Sequence, residues 1–399
     1  TNSLFFIKVS QSSSKDSLQR ITYRLHASEF AYIEYVYTLA PDSYAVDLQI
    51  HTKGMDQYIK ESRLNLYWET YMNSFEKSRE IEGQNTNIVW KYNEDDVETL
   101  NAHADEPEKE ELTGKVSWVG FKYQYFSAIL IAKDNFERGG EVIAKPLSEN
   151  DSSLKIFATE LFMPKQETNA MTFYFGPNHY PTLKAQGAEI EGVLDLGWFG
   201  FITKYAIIPI FNWLNSFLTN FGLIILLLTI ILKVSLFPLT FKSYLSTARM
   251  RVLKPQTEEI TAKFPNPGDA MKRQQATMEM YRKAGVNPMG GCLPMLIQFP
   301  ILIAMFRFFP ASIELRQESF LWAEDLSSYD SIFSLPFSIP FYGDHVSLFT
   351  LLMAVSMIFV NQINMANTVT TPGMPNMKVM MWIMSIMMVF WFNSYSSGL

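Results

Sequence analysis

The chain has 399 residues, a net charge of −7, 48% hydrophobic residues and a single cysteine. That composition excludes a disordered chain, a collagen, a disulfide framework, a Cys-based zinc site and a strongly basic nucleic-acid binder, so DNA is not an expected partner. The average conceals two halves: residues 1–196 carry 19 Lys and Arg against 30 Asp and Glu, whereas residues 197–399 carry 14 against 10, between long runs with almost no charge.

Residues 1–196 are predicted to be β-rich. The stretch 29–50, EFAYIEYVYTLAPDSYAVDLQI, alternates aromatic or branched residues with polar ones at period two, with slips. Runs 64–68, 115–131 and 171–175 read as further strands, with acidic loops such as 93–112 between them. This spacing predicts a β-sandwich domain over 1–196, the run DEPEKEE being a solvated loop. The five histidines, His26, His51, His103, His179 and His345, are scattered without metal-ligand spacing, so neither a metal nor another cofactor is expected.

At Gly197 the pattern changes. Residues 197–218, GWFGFITKYAIIPIFNWLNSFL, hold many aromatics and one charge, Lys204. They predict an amphipathic helix at 197–216 lying in a membrane interface, with a buried linker helix as the alternative. Four apolar stretches follow, at about 217–239, 292–309, 346–363 and 377–392, and each is a candidate transmembrane span of a core over 217–399. Loop 240–291 carries nine Lys and Arg against four acids, and loop 310–345 carries Arg316 against six acids. By the positive-inside rule the first is cytoplasmic, which puts the β domain and loop 310–345 outside. The sequence begins without Met and stops just after an apolar stretch, and a β domain on the outer side must be delivered by something upstream, so an N-terminal membrane anchor is expected to be missing from it.

Within 240–286, two stretches rich in good helix formers, 240–264 and 270–284, predict a helical hairpin. PNPGD (265–269) breaks it and GVNP (285–288) stops it. Leu245, Val252, Ile260 and Phe264 are expected to face Met271, Met278 and Tyr281. The opposite faces, with Arg249, Arg251, Lys254, Lys272 and Arg273, stay basic. They are either a loop held near the inner leaflet or a docking surface for an anionic partner such as a ribosome.

The sequence holds no phosphate loop, no HExxH and no GxSxG, and no Ser–His–Asp context stands out, so no catalytic residue is assigned. The informative residue is Lys233, deep in the first span, where a charge costs about 2.5–3.5 kcal/mol. Thr229 lies one turn earlier on the same face. Gln298 in the second span, with Asn361 and Gln362 in the third, are candidates to join them around one hydrophilic pocket open to the cytoplasm. The alternative is snorkelling of Lys233 to the inner headgroups. Ten of the 21 methionines lie in 351–390. Met353, Met357, Met384 and Met388, with Trp391, read as an adaptable apolar surface for varied partners, or simply as side chains facing lipid or core.

The second half resembles the YidC, Oxa and Alb family of membrane-protein insertases. The string NPMGGCLPMLIQFPI (287–301) is similar to the family's most specific signature. TIILKVSLFPLTFKS (229–243) resembles its charged span and ARMRVLKPQ (248–256) the start of its cytoplasmic hairpin. SIELRQESFLWAEDLS (312–327) resembles the short outer loop, NTVTTP (367–372) the second cytoplasmic loop, and SSGL (396–399) the turn into the last span. The first half resembles, less specifically, the large periplasmic domain of Gram-negative members.

The resemblance implies a multidomain chain: a β-supersandwich-like periplasmic domain followed by a polytopic helical core with a cytoplasmic helical hairpin. It implies a groove open to cytoplasm and lipid and closed outside, with the family's groove cation falling on Lys233, its hydroxyl on Thr229 and its polar side chain on Gln362. Two departures stand out. Lys replaces Arg at position 233, keeping the charge and losing the planar fork. Ser394 stands where an aromatic often precedes the SGL string, with Trp391 three residues earlier. Implied partners are nascent membrane proteins, the Sec translocon and its accessory subunits, the ribosome and signal-recognition-particle pathway, and membrane lipids. The implied location is the bacterial inner membrane. Weighed against an insertase and chaperone, a small-solute transporter or channel with a sensing domain predicts internal repeats, which are not seen. A carbohydrate-active outer domain predicts a carboxylate pair, which is not seen either.

Overall fold

The computed structural model describes residues 4–12, 18–100, 106–148, 150–286, 293–340, 342–365 and 377–399. The chain divides into two compact units, Thr1–Asp195 with Ala311–Ile313, and Leu196–Pro310 with Glu314–Leu399.

The first unit is a large antiparallel β structure. In chain order its strands are β1 (Ile7–Ser12), β2 (Gln19–His26), β3 (Tyr32–Leu39), β4 (Ala45–Lys53), β5 (Arg63–Asn73), β6 (Asn87–Tyr92), β7 (Val97–Leu100), β8 (Glu108–Leu112), β9 (Val116–Lys122), β10 (Phe126–Pro146), β11 (Ser153–Pro164) and β12 (Thr168–Pro177). The main path runs β1-β2-β3-β4-β12-β10-β9-β6-β7. The stretch 29–50 supplies β3 and β4, whose alternation places Val36, Leu48 and Ile50 inward. The stretch 93–112, expected to be an acidic loop, instead carries β7 and β8. Leu100 and Leu112 are buried there, and the acids of EKEEL occupy the open positions of an outer strand. Residues 101–105 of that stretch lie outside the described residues.

The longest strand, β10, serves two sets of neighbours. Its first half pairs with β12 and β9. After a register shift across residues 131–141, its second half pairs with β11 and β8, and β5 flanks β11. The shift contains Asn135 at φ 61° and Gly139 at φ 93°, left-handed conformations that turn the strand as bulges do. Gly140 follows, and a Cβ there would lie 2.2 Å from the Glu160 carbonyl oxygen, so only glycine permits β11 to come this close. The two arms share one core. Trp68 on β5 stacks 4.0 Å from Phe121 on β9, which in turn meets Phe157 on β11 at 5.7 Å. A smaller cluster around Trp118, Ile129 and Tyr174 is covered by Leu183 of α2 (Tyr180–Ala185) and by Ile190 and Val193.

The short helix α1 (Arg79–Asn85) is capped by Ser78 and closes over a buried lysine. Lys155 on β11 donates from Nζ to the carbonyls of Gly83 at 2.8 Å and Thr86 at 2.9 Å, around the helix C-terminus. Burial pushes its ammonium down to about 8.

The second unit is helical. It opens with α3 (Gly200–Ile202), a π turn (Thr203–Ile207) and α4 (Ile208–Asn215). Ile207, Phe211 and Leu214 are buried on one side, whereas Trp198, Phe201, Tyr205 and Trp213 are exposed. Phe211 packs against Phe221 of α5 (Phe221–Val252) at 5.9 Å and Phe308 at 5.7 Å. Asn220 caps α5 by accepting from Leu223 N at 3.0 Å. The span expected to end at about 239 continues through Pro238 to Val252, roughly 48 Å of helix. Residues 240–252, expected to open a helical hairpin, therefore belong to α5. Leu245 and Val252 belong to α5 and are exposed, as are Met271 and Met278, so the expected apolar seam is not formed by those four. The break falls at Leu253, with Pro255 in the first turn of α6 (Lys254–Lys263), and α7 (Ala270–Lys283) packs against α6. Gly285 at φ 66° ends α7, as the GVNP signal predicts.

The remaining helices are α8 (Leu293–Phe308), α9 (Leu348–Met365) and α10 (Met377–Phe392). Among the described residues, α5 is the one helix long and apolar enough to cross a membrane; α8, α9 and α10 are apolar but shorter. Between α8 and α9 a hairpin forms from β13 (Phe333–Ile339) and β14 (Gly343–Val346). It was not expected from the sequence.

Candidate functional site

The polar residues singled out in the apolar helices are distributed over two helix pairs, α5 with α8 and α9 with α10. On α5, Thr229 is half-buried and Lys233, one turn on, is exposed. Among the described residues Lys233 makes no ion pair. Its ammonium sits on a helix surface otherwise made of Ile230, Val234 and Phe237, all exposed. Pro238 and the hydroxyls near it follow: Ser235 Oγ donates to the Ile231 carbonyl at 2.8 Å, and Thr240 Oγ1 to that of Leu236 at 3.1 Å. Such back-bonding satisfies each hydroxyl within an apolar helix and bends it slightly. On α8, Gln298 is half-buried.

On α9, Asn361 is half-buried and donates from Nδ2 to Ser385 Oγ on α10 at 2.9 Å. Ile358 and Trp382 complete a small hollow around this pair. Gln362, its neighbour, is exposed. Asn361 is thus spoken for by α10, and Ser385 is a polar partner that sequence reasoning missed. A lone serine among SIMMVF residues gives no sign in sequence that it will be buried against an amide.

The apolar surface is extensive. Met384 and Trp391 on α10 are exposed, Trp391 by 72%, while Met388 on α10 and Met353 and Met357 on α9 are half-buried. Leu352, Val355, Phe359, Ile383 and Ile386 extend the exposed face of the same two helices. An apolar face of this size is foreign to a water-surrounded monomer.

Of the basic set, Arg249 and Arg251 are exposed on the last turns of α5 and Lys254 is half-buried at the start of α6. Lys272 is exposed and pairs with Asp269 at 3.1 Å. Arg273 is not on that surface. It is 3% exposed and donates from Nη1 to the Phe264 carbonyl at 3.2 Å, tying α7 to the end of α6. Buried in this way, it offers no exposed surface for docking.

At the opposite end of α9 and α10 lies a polar clasp that sequence reasoning also missed. Asp330, buried, accepts from Leu348 N at 2.8 Å, Phe349 N at 3.1 Å, Trp322 Nε1 at 2.9 Å and Ser347 Oγ, and so caps α9. Asn393, just after α10, accepts from Ser347 N at 3.0 Å and donates to the carbonyls of Tyr342 and His345, each at 2.8 Å. His345 returns a bond from Nε2 to the Asn393 carbonyl at 2.9 Å and stacks on Tyr329 at 3.7 Å. In the SSGL string, Ser397 N donates to Ser328 O at 2.7 Å and Gly398 N to Leu326 O at 2.9 Å. The string is thereby bound to the loop ahead of α9. The string 367–372, and residues 287–292 of the string 287–301, lie outside the described residues.

Comparison with known proteins adds the family. Residues 5–209 match the model described as YidC periplasmic domain, and residues 213–399 the model described as 60Kd inner membrane protein. A protein of Parabacteroides distasonis named membrane protein insertase YidC is 42% identical over 398 residues, covering 94% of this chain and 62% of its own length. The protein of that name in Bacteroides fragilis is 42% identical over 396 residues, covering 95% of this chain and 63% of its own. That in Porphyromonas gingivalis is 39% identical over 422 residues, covering 100% and 66%. The chain therefore spans less than two thirds of the length of these relatives.

Proposed function

The chain belongs to the YidC family, and from that premise we propose that it works as a membrane-protein insertase of the bacterial inner membrane, with residues 1–196 in the periplasm. The single observation that carries the mechanism is Lys233, an exposed ammonium in the one described helix both long and apolar enough to span a bilayer. It lies about 18 Å along α5 from Phe221, well inside a hydrocarbon layer of ~30 Å. A cation held there needs a polar surrounding, which the groove reading supplies and which Thr229, Gln298 and Gln362 are suited to line.

In this reading a short hydrophilic tail of a nascent membrane protein enters from the cytoplasm and is held transiently by Lys233 and Thr229. Acidic tails are favoured, and the membrane potential assists their outward passage. The substrate's apolar span moves along the exposed faces of α9 and α10, past Met384 and Trp391, with Met353, Met357 and Met388 yielding behind them, and leaves into lipid. No covalent chemistry is involved. Basic side chains at Arg249, Arg251, Lys254 and Lys272 serve as the face for a ribosome or signal-recognition factor, and the Sec translocon shares substrates. The relatives' shared name supports an insertase over the transporter reading.

The test is reconstitution of the full-length protein into liposomes, followed by protease protection of a small acidic-tailed membrane protein. Protection above that of empty liposomes, reduced by Lys233→Ala, is the expected result. Equal protection with the variant returns Lys233 to a snorkelling role. None in either case overturns autonomous insertion.

A further inference from the structure

We propose that the β13–β14 hairpin is a membrane anchor that sets its apolar ridge into the outer-leaflet interface beside α9 and α10. The inference rests on the reading of those two helices as membrane spans.

Three features point to lipid as the occupant. Residues 331–340 (SIFSLPFSIP) carry no charge, although six acidic side chains stand elsewhere in the loop 310–345. Within this uncharged ridge Ile332 is 50% exposed, Phe333 61% and Phe337 60%. Position comes next. Ile332 N donates to Val346 O at 3.0 Å, and β14 runs straight into α9 through Ser347. Asn393 grips the carbonyls of Tyr342 and His345, and Tyr342 meets Phe390 of α10 edge-on at 5.5 Å. The hairpin is therefore fixed at the ends of α9 and α10, and with those helices as spans it lies where their apolar surface gives way to water. That is the level at which aromatic side chains collect in membrane proteins.

The third feature is Pro336 inside β13, with Pro340 just after it. A proline lacks the N–H that an added strand must bond, so this edge is poorly made for a second copy or for an extended peptide. The same lack reduces the number of backbone donors that entry into the headgroup region would leave unpaired. Asp344, beside His345 on the return strand, is exposed and stays on the watered side. With no cation on the ridge, anchoring depends on apolar burial and is insensitive to salt and to anionic lipid.

The experiment places a single environment-sensitive fluorophore on the full-length protein in phosphatidylcholine vesicles, with Cys292→Ala as background. Labels go at Phe337→Cys and, independently, Phe333→Cys. Phe359→Cys on the exposed face of α9 and Glu324→Cys in the outer loop serve as lipid and water references. Lipids spin-labelled near the headgroup are expected to quench the two ridge positions several-fold more than lipids labelled deep in the chain. Aqueous iodide is expected to quench them several-fold less than position 324. Quenching at 333 and 337 like that at 324 overturns the anchor. Protection from both lipid and iodide also overturns it, in favour of a covering protein. If position 359 is lipid-quenched while 333 and 337 are not, the spans stand and the anchor falls. If 359 is not lipid-quenched, both fall.

Discussion

Asn361 on α9 and Ser385 on α10 form a 2.9 Å side-chain hydrogen bond between two largely apolar helices. In a membrane such bonds average about 0.6 kcal/mol, and they also fix the rotation of each helix about its axis. Ser385→Ala is expected to lower thermal stability in detergent by a degree or two. Ser385→Leu should cost more, because it also fills the hollow lined by Ile358 and Trp382. Differential scanning fluorimetry of the two variants reads the difference; equal melting would mean that the amide finds another partner.

Charge at position 233 should decide substrate preference. At ~4 Å and an effective dielectric of ~20, an ammonium attracts a carboxylate by about 4 kcal/mol before desolvation. Lys233→Glu is therefore expected to reduce insertion of an acidic-tailed substrate by tenfold or more, tenfold being about 1.4 kcal/mol. Lys233→Arg should retain it. A substrate whose tail acids are replaced by Asn and Gln should lose the distinction. The measurement is the protected fraction in proteoliposomes.

Lys155 makes the β unit's stability depend on pH in an unusual direction. Its ammonium, pushed by burial from 10.5 to about 8, is more easily deprotonated folded than unfolded. Below pH 8 both states are protonated and the buried charge weakens the fold. From pH 8 towards 10.5 the folded protein has released a proton that the unfolded chain keeps, so stability rises, by at most about 1.4 kcal/mol per pH unit. Tyr174 and other phenols raised by burial act oppositely, but only above about pH 10. Urea unfolding of the full chain, read by proteolysis within 1–195, should show greater resistance at pH 9.5 than at pH 7.5. Lys155→Met should remove that gain.

Asp330 gathers four donors from two segments, Trp322 and residues 347–349, so its replacement should loosen this end of the helical unit. Loss of a buried, charge-assisted cap costs about 1.5–3 kcal/mol per bond. Asp330→Ala is expected to open residues 314–347 to protease in detergent. Asp330→Asn keeps one acceptor and should lie between the variant and the native protein.

Glycines 140 and 83 should respond oppositely to the same substitution. A methyl group at Gly140 would meet the Glu160 carbonyl, and the strands must part, at about 1–3 kcal/mol or more. At Gly83, in α1, nothing lies within 4 Å of the added Cβ, and alanine should stabilise by roughly 0.5–1 kcal/mol. Chemical denaturation of the paired variants tests both.

Much of this architecture can be read from side-chain periodicity. The alternation in 29–50 marks β3 and β4, and the helix breakers at 265–269 and 285 mark the ends of α6 and α7. What periodicity hides is any feature made by two distant segments. Acidic residues in β7 and β8 look like loop until Leu100 and Leu112 are seen to be buried. Arg273 looks like part of a wet basic face until its guanidinium is seen on the Phe264 carbonyl. The apolar stretch ends near 239, yet Pro238 removes only one hydrogen bond and the helix runs on to Val252. Polar residues in apolar helices stand out singly, as Lys233 and Asn361 did, but their partners do not.

The shared strand β10 has a consequence for how the β unit comes apart. Layers joined only by loops can melt one after the other. Here the same 21 residues are the central rung of both, on either side of the 131–141 turn. Losing one layer strips the neighbours from half of a continuous strand and exposes the face on which Trp68, Phe121 and Phe157 meet. The unit should therefore melt in a single all-or-none step, and a chain cut within 131–141 should convert that one transition into two.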